Sequence, residues 1–333
     1  MTAHKCRHTA IVGSNTSVKN MKPALAEDAI LEKLKLPVIG QPKIDGVRAL
    51  TQNAKLVGRS LKAFAAPFTG EYFSRPELDN LDGEMTLGDQ PNSTNRLCHA
   101  TTGALGRVKG VTTMDDFHWW VFDDLTDPTL PYLERFRKAA ARTEALNDQR
   151  VHLVPHTLIL YTMDEVREFI AWCYDNGFEG AMFKNMEAPH KEGRATQTGQ
   201  QMWRVKPWMV SEMLVTGFTE GETNLNQATT NALGRTERSS AKAGKVPNGT
   251  VGAIHGTVLQ DIHCPVTGIL LFRSGLPITI GPGEMTEAEA KHYFEHRDEL
   301  VAHIAKFKHM THGIKDLPRM ATFICLRLKE DMG

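Results

Sequence analysis

The 333-residue chain has little of what usually assigns a protein quickly. Its five cysteines, Cys6, Cys98, Cys173, Cys264 and Cys325, stand more than sixty residues apart. No C-x-x-C pair exists, which argues against a zinc knuckle or ribbon, and an odd, scattered set suits reduced thiols in a cytoplasm. No run of about 18 apolar residues is present, so no membrane span is expected. Met1 to Thr9 is basic but lacks the apolar stretch of a secretory signal. Charge of one sign is missing too: 39 Lys and Arg face 39 Asp and Glu. That excludes a polybasic coat for nucleic acid, though not local basic patches. There is no G-x-x-x-x-G-K-[ST], hence no P-loop, and His309-Met-Thr-His312 lacks the glutamate of a zincin.

What is present is ordinary globular composition, 41% hydrophobic and 23% charged, at a length that fits two domains. Residues 23–35 read as a helix, with Leu25, Ile30, Leu31 and Leu34 on one side. Short strands are expected over 37–43, 47–51, 55–59, 81–87 and 119–123. Pro131 opens a helix to Leu146. Thr162 with Glu165 forms a capping box for a helix that Gly177 closes. Strands follow over 180–184 and 202–206. After Pro207 the texture changes to longer strands, over 212–218 and 251–260, around a polar segment, 224–248. Further strands are expected over 269–274, 278–281 and 321–328. A second capping box, Thr286 with Glu289, starts a helix running to about Lys308. Several strands and one helix fit a small OB-type barrel. The expected domains are therefore 1–207 and 208–333, in an α+β chain.

The sharpest chemical signal is Lys43-Ile44-Asp45-Gly46-Val47-Arg48 between two predicted strands. A lysine there can attack phosphorus once deprotonated, Gly46 lets the backbone pass close to a ligand, and Arg48 can grip phosphate or ribose oxygens. The plain alternative is a surface hairpin, since Lys, Asp and Gly are common turn residues. Further segments follow in order: Gly58-Arg59-Ser60, Leu81-Asp82-Gly83-Glu84, Trp120-Val121-Phe122-Asp123-Asp124, Phe178-Glu179-Gly180 through Lys184, and Trp203-Arg204-Val205-Lys206-Pro207.

This ordered set, spanning residues 43–207, resembles motifs I, Ia, III, IIIa, IV and V of the covalent nucleotidyltransferases: ATP-dependent DNA ligases, RNA ligases and mRNA capping enzymes. The resemblance implies an adenylation domain built on antiparallel sheets with flanking helices, followed by an OB-fold barrel. It makes Lys43 the nucleophile that takes AMP from ATP. Lys206, with Arg204 on the same strand face, would neutralise the α-phosphate. The family more often has lysine at both positions. Phe122 would stack on adenine, and Gln41 would meet the base edge. Arg48 would grip phosphate or ribose. Glu84 would hold the ribose or a metal-bound water, and Glu179 with Glu84 would support Mg²⁺. Asp45 is either a metal or lysine partner or a turn former. Arg59 and Ser60 would contact the 5′-phosphate of DNA.

The tail, Pro318 to Asp331, resembles the divergent motif VI region, in which Arg327 and Lys329 would orient pyrophosphate. Residues 231–249 carry a net +3 from Arg235, Arg238, Lys242 and Lys245 against Glu237, while 281–299 carry −4. The basic segment reads as a loop closing on a phosphate backbone. The OB-like tail, Arg59-Ser60, the basic loop and the stretch from Leu97 to Val108 make the chain similar to DNA ligases of the small bacteriophage type. The expectation is a monomeric, cytoplasmic ATP-dependent ligase (host cytoplasm if viral) that seals 3′-OH/5′-phosphate nicks in duplex DNA. RNA ligase, GTP-dependent capping enzyme and an inactive binding module are the alternatives.

Overall fold

A computed structural model describes residues 20–92, 97–113, 115–263, 270–314 and 317–327, with the side chains of 311–314 left aside. The expectations for Cys6, Cys264, Lys329 and the N-terminal nine residues lie outside the described residues. Among the described residues, three five-stranded sheets, three two-stranded ones and five α-helices organise the chain. The first sheet runs Glu27–Asp28, Met202–Val205, Gly180–Asn185, Val38–Lys43, Leu158–Leu160. The second runs Leu56–Gly58, Val47–Thr51, Leu81–Leu87, Phe117–Asp124, Val151–Leu153. Pairing is antiparallel in both except at one edge strand of each. The segment Lys43 to Arg48 is the link: Lys43 ends a strand of the first sheet and Arg48 sits in a strand of the second.

Each sheet buries its own apolar face. Phe169, Phe183 and Trp203 centre one core, and Phe73, Phe117 and Trp119 the other. Helices cover these faces. Thr162 caps Met163–Asp175 with the full reciprocal box, and Gly177 continues past its end at φ 79°. Tyr132–Leu146 packs on Phe117–Asp124 and is pinned there by the buried pair Arg135–Asp123 at 2.9 Å. No helix among the described residues is long and apolar enough to cross a membrane.

The third sheet curls into a barrel in the order Pro277–Ile280, Lys245–Val258, Trp208–Asn224, Ile304–Ile314, Leu317–Leu326. A bridge between Gly281 and Thr322 brings its two edges together. Met213, Val215, Ile254, Phe307 and Phe323 fill the interior.

Three expectations are corrected. Residues 23–35 are not a helix. Ala24–Leu25 and Glu27–Asp28 pair in parallel with Gly193–Arg194 and with Trp203 and Arg204, and a 3₁₀ turn spans Leu31–Lys33. Open sheet edges outweigh a weak local helix preference. The helix capped by Thr286 ends at Glu295, not near Lys308. Beyond it Ala305, Phe307 and His309 are fully buried while Ile304, Lys306 and Lys308 are not, the period of two that marks a strand. The basic segment is not a plain loop: Ala228–Thr230 and Thr236–Arg238 pair as a hairpin.

Phe307→Ala would leave a cavity at the centre of the barrel and should cost about 3–5 kcal/mol. Chemical denaturation checks this; an unchanged midpoint would mean that Phe307 does not carry the barrel core.

Candidate active site

Three glycines let the polar segments meet. A Cβ on Gly46 would fall 2.4 Å from the Met85 carbonyl oxygen, one on Gly83 2.6 Å from the Trp120 carbonyl oxygen, and one on Gly180 2.0 Å from that of Val205. Gly180 also holds φ at +157°. Each glycine stands beside or next but one to an acidic residue, Asp45, Glu84 or Glu179. The close backbone approach is what brings these carboxylates to one place.

Across the first sheet Lys43 lies opposite Gly180, and Ala181 lies opposite Val205. This register puts Lys43 and Lys206 on either side of Glu179. The Glu179 carboxylate, only 3% exposed, accepts from Lys43 Nζ through one oxygen and from Lys206 Nζ at 2.6 Å through the other. Burial pushes the Glu179 carboxyl up, but the two ammonium groups outweigh it and hold it at about 2. Lys43 loses some basicity to burial, yet Glu179 and Glu84 raise it above its ordinary value. Lys206 goes the other way, lowered by burial and by Lys43 despite Glu179.

An open cleft of about 190 Å³ lies between the two sheets above this triad. Gln41, Met182 and Arg204 form one row across the first sheet. Arg48 and Glu84 are neighbours on the second, with Phe122 beyond. Arg48 is held by both oxygens of Asp82 and lies 4.6 Å above the Phe122 ring. Glu84 is half-buried; burial is the main force that pushes its carboxyl up to about 7, with Lys43 and Arg48 opposing.

The expected nucleotide set is thus brought together. Gln41, Lys43, Arg48, Glu84, Phe122 and Arg204 line the cleft, and Lys206 reaches it through Glu179. Arg204 also donates to Asp28 at 2.7 Å. Arg59 is exposed on the cleft rim, with half-buried Ser60 beside it. Asp45, expected as a metal or lysine partner or a turn former, adds to the acidic surroundings of Lys43, and both of its oxygens accept from Arg319 Nη1 at 2.8 Å, an arginine of the Leu317–Leu326 strand. Arg327, expected at the pyrophosphate, does not line the cleft; its Nε donates to Glu212 at 2.7 Å. Arg319, eight residues earlier on that tail, is the one that reaches the site. Among the described residues no three His, Cys, Asp or Glu side chains form a metal cluster.

The hairpin leans on the first part of the chain. Glu237 accepts from Lys62 at 2.8 Å, and the Leu233 carbonyl from Lys22 at 2.8 Å. Arg235 and Lys242 are exposed, Arg238 donates to the Asn226 carbonyl, and Lys245 lies 3.8 Å from Glu222.

Sequence reasoning gave no role to Lys184, Tyr132, Arg194 or Arg319. Lys184 was accessible by parity: it alternates with Met182 on the cleft side of a strand otherwise apolar. Tyr132 comes from a helix ninety-one residues beyond its partner Gln41, and no local pattern announces it.

No protein-family model matches the chain, and no curated protein does. Solved structures do. A Lig E DNA ligase aligns over 92% of this chain and 98% of its own at 17% identity, with a TM-score of 0.66. The Pmar-Lig_PreS3 structure aligns over 92% and 68% at 16% identity, with a TM-score of 0.63. A DNA ligase-adenylate of Chlorella virus aligns over 92% and 99% at 20% identity, with a TM-score of 0.48. The chain shares the fold of the first two, two antiparallel sheets flanking a cleft and a following barrel.

Gly180→Ala should wedge apart the strands that carry Glu179 and Lys206. The expected loss is about 1–3 kcal/mol from overpacking and backbone strain. A denaturation midpoint equal to that of the parent would refute the close approach at this glycine.

Proposed function

We propose that the chain is an ATP-dependent DNA ligase of the small bacteriophage type, sealing nicks in duplex DNA through AMP linked to Lys43. The observation that carries this reading is the buried Glu179 carboxylate holding Lys43 and Lys206 together at the floor of a cleft walled by Phe122, Arg48 and Gln41. A lone reactive lysine fits many chemistries. A lysine nucleophile beside a second lysine, an arginine-gripped rim and a stacking ring fits a nucleoside triphosphate. The likeness in fold to a Lig E DNA ligase, studied as a minimal DNA-binding scaffold, supports the same reading.

In the first step the neutral amine of Lys43 attacks the α-phosphorus of ATP, a P–N bond forms, and pyrophosphate leaves. Lys43 must first shed the proton that Glu179 stabilises. Phosphate oxygens arriving at Lys206, which Glu179 now engages, and at Arg204, which Asp28 engages, draw Lys206 from Glu179 and make that carboxylate a better acceptor for the Lys43 proton. Arg48 steadies the nucleotide, with Phe122 under the base and Gln41 at its edge. AMP then passes to the 5′-phosphate of the nick, and attack by the 3′-hydroxyl forms the phosphodiester and expels AMP. Arg59 and Ser60 contact the 5′-phosphate strand, and the hairpin residues Arg235, Arg238, Lys242 and Lys245 track the phosphate backbone.

Mg²⁺ fits the donors present. Glu84 on the cleft wall is a hard oxygen donor and Glu179 stands nearby, so two carboxylates with phosphate oxygens and water would suit that ion. Bound there it supplies neutralisation of the phosphate charge. Asp45, engaged by Arg319, is left out of that set. The contact of Arg319 with Asp45 supports Arg319 over Arg327 as the tail arginine that acts on the leaving group, with Lys329 a second candidate from the same tail. The division between the catalytic part and the barrel falls at 207/208, and the enzyme works as a cytoplasmic monomer.

Incubation with labelled ATP and Mg²⁺, after stripping any resident AMP with pyrophosphate, should label the protein, and Lys43→Ala should abolish the label. Label from GTP alone would support a capping enzyme instead, and sealing of nicked RNA but not DNA an RNA ligase. Arg59→Ala should keep labelling near the parent level while slowing nick sealing by at least about tenfold; equal loss of both would refute a DNA-side role. Replacing Arg238, Lys242 and Lys245 together should lower the salt dependence of nick binding, by about one in slope for each lost phosphate contact. An unchanged slope would count against the hairpin as a DNA contact.

A further inference from the structure

Arg204 differs from the lysines of the cleft in what holds it. Lys43 and Lys206 meet the buried Glu179, whereas Arg204 meets Asp28, a carboxylate 63% exposed. Arg204 and Asp28 are register partners where Glu27–Asp28 pairs in parallel with Met202–Val205. Two further hydrogen bonds fix the main chain around Asp28. The Ala29 amide donates to the Arg204 carbonyl at 2.9 Å, and Gln197 Nε2 donates to the Asp28 carbonyl at 2.6 Å. The carboxylate takes one edge of the guanidinium, accepting from Nε at 2.7 Å and from Nη2 at 3.4 Å. Nη1 makes no hydrogen bond among the described residues. An ion pair this exposed adds little to stability. By charge alone it is also unfavourable beside a phosphate site, because a carboxylate repels the oxygens that Arg204 would receive. What it can supply is orientation.

We propose that Asp28 is a positioning residue, which holds the Nε edge of Arg204 so that the Nη1 end is presented to the phosphate in the cleft. The inference rests on the nucleotide reading above and concerns how the guanidinium at position 204 is aimed.

A lysine ammonium is a compact point charge with rotatable donors and needs no particular plane. A guanidinium is planar, its donors lie in a fixed fork, and its long side chain samples many orientations when nothing holds it. Engaging the Nε and Nη2 edge fixes the plane and leaves the Nη1 end. Arg204 lines the cleft in one row with Gln41 and Met182, so the unengaged end is the one left for a ligand there. The ordering is complete before ATP arrives, and the donor meets the charge growing on the α-phosphate without a further search. With lysine in place of Arg204, the same carboxylate has no fork to hold and only offsets the charge. Loss of Asp28 should therefore harm the arginine form of the site and spare the lysine form.

The test follows single-turnover labelling of the protein from ATP and Mg²⁺, after resident AMP has been stripped with pyrophosphate. The parent is compared with Asp28→Ala, Asp28→Asn, Arg204→Lys and the double variant that joins Asp28→Ala to Arg204→Lys. Asp28→Ala should lower the labelling rate at saturating ATP about fivefold or more, and move the half-saturating ATP concentration less. Asp28→Asn keeps an oxygen acceptor for Nε and should restore the rate to within about twofold of the parent. Arg204→Lys should label more slowly than the parent, and adding Asp28→Ala to it should change the rate by less than about twofold. Asp28→Ser takes the place of the alanine variant should that one fail to fold. Three results overturn the proposal and leave the ligase reading standing: a folded Asp28→Ala at the parent rate, equal loss in the alanine and asparagine variants, or an undiminished loss in the lysine background. If Arg204→Lys takes no label, the contrast between alanine and asparagine decides alone. A parent that takes no label from ATP overturns both.

Discussion

One buried carboxylate organises the molecule. Glu179 is almost fully enclosed, and an isolated carboxylate there would be expensive. It is tolerated because two lysines, brought from neighbouring strands on either side, neutralise it. That arrangement fixes strand order and register in the first sheet. A slip of one residue between any of the three strands would turn a lysine to the opposite face and leave the charge unpaired. Two positive groups can stand so close together only because Glu179 lies between them. The same crowding that stabilises the resting site makes it responsive to an incoming anion.

The second constraint is closeness of backbone. Gly46, Gly83 and Gly180 allow strand ends from both sheets to converge where any side chain would collide with a carbonyl oxygen. Because the chain crosses from one sheet to the other within Lys43 to Arg48, Lys43 belongs to one sheet and Arg48, above the Phe122 ring, to the other. The cleft is therefore a seam between two separately packed cores.

Much of this was legible in the sequence, for definite reasons. The polar segments that meet in the cleft are local and glycine-marked, and their ordered resemblance to nucleotidyltransferase motifs implied Gln41, Lys43, Arg48, Glu84, Phe122, Arg204 and Lys206 as a set. Capping boxes at Thr162 and Thr286 fixed two helix starts because their reciprocal bonds are local. What failed was non-local. The 23–35 segment took strand pairing from edges formed nearly 170 residues later. The strand Ile304–Ile314 was missed although its alternation was visible, because the strong cap before it suggested a longer helix. Nothing near Asp45 in sequence announced its partner Arg319. Tyr132 meets Gln41, and Lys184 meets Tyr132, from a helix and a strand whose approach only the fold defines.

The Asp45–Arg319 pair joins residues 274 positions apart. A polypeptide leaves the ribosome N-terminus first, and the part containing Lys43 can assemble before the barrel is complete. During that interval Asp45 stands beside Lys43 without its Arg319 partner. Emergence of the Leu317–Leu326 strand changes the electrostatic surroundings of a site formed much earlier, and only then does the site take its final charge balance.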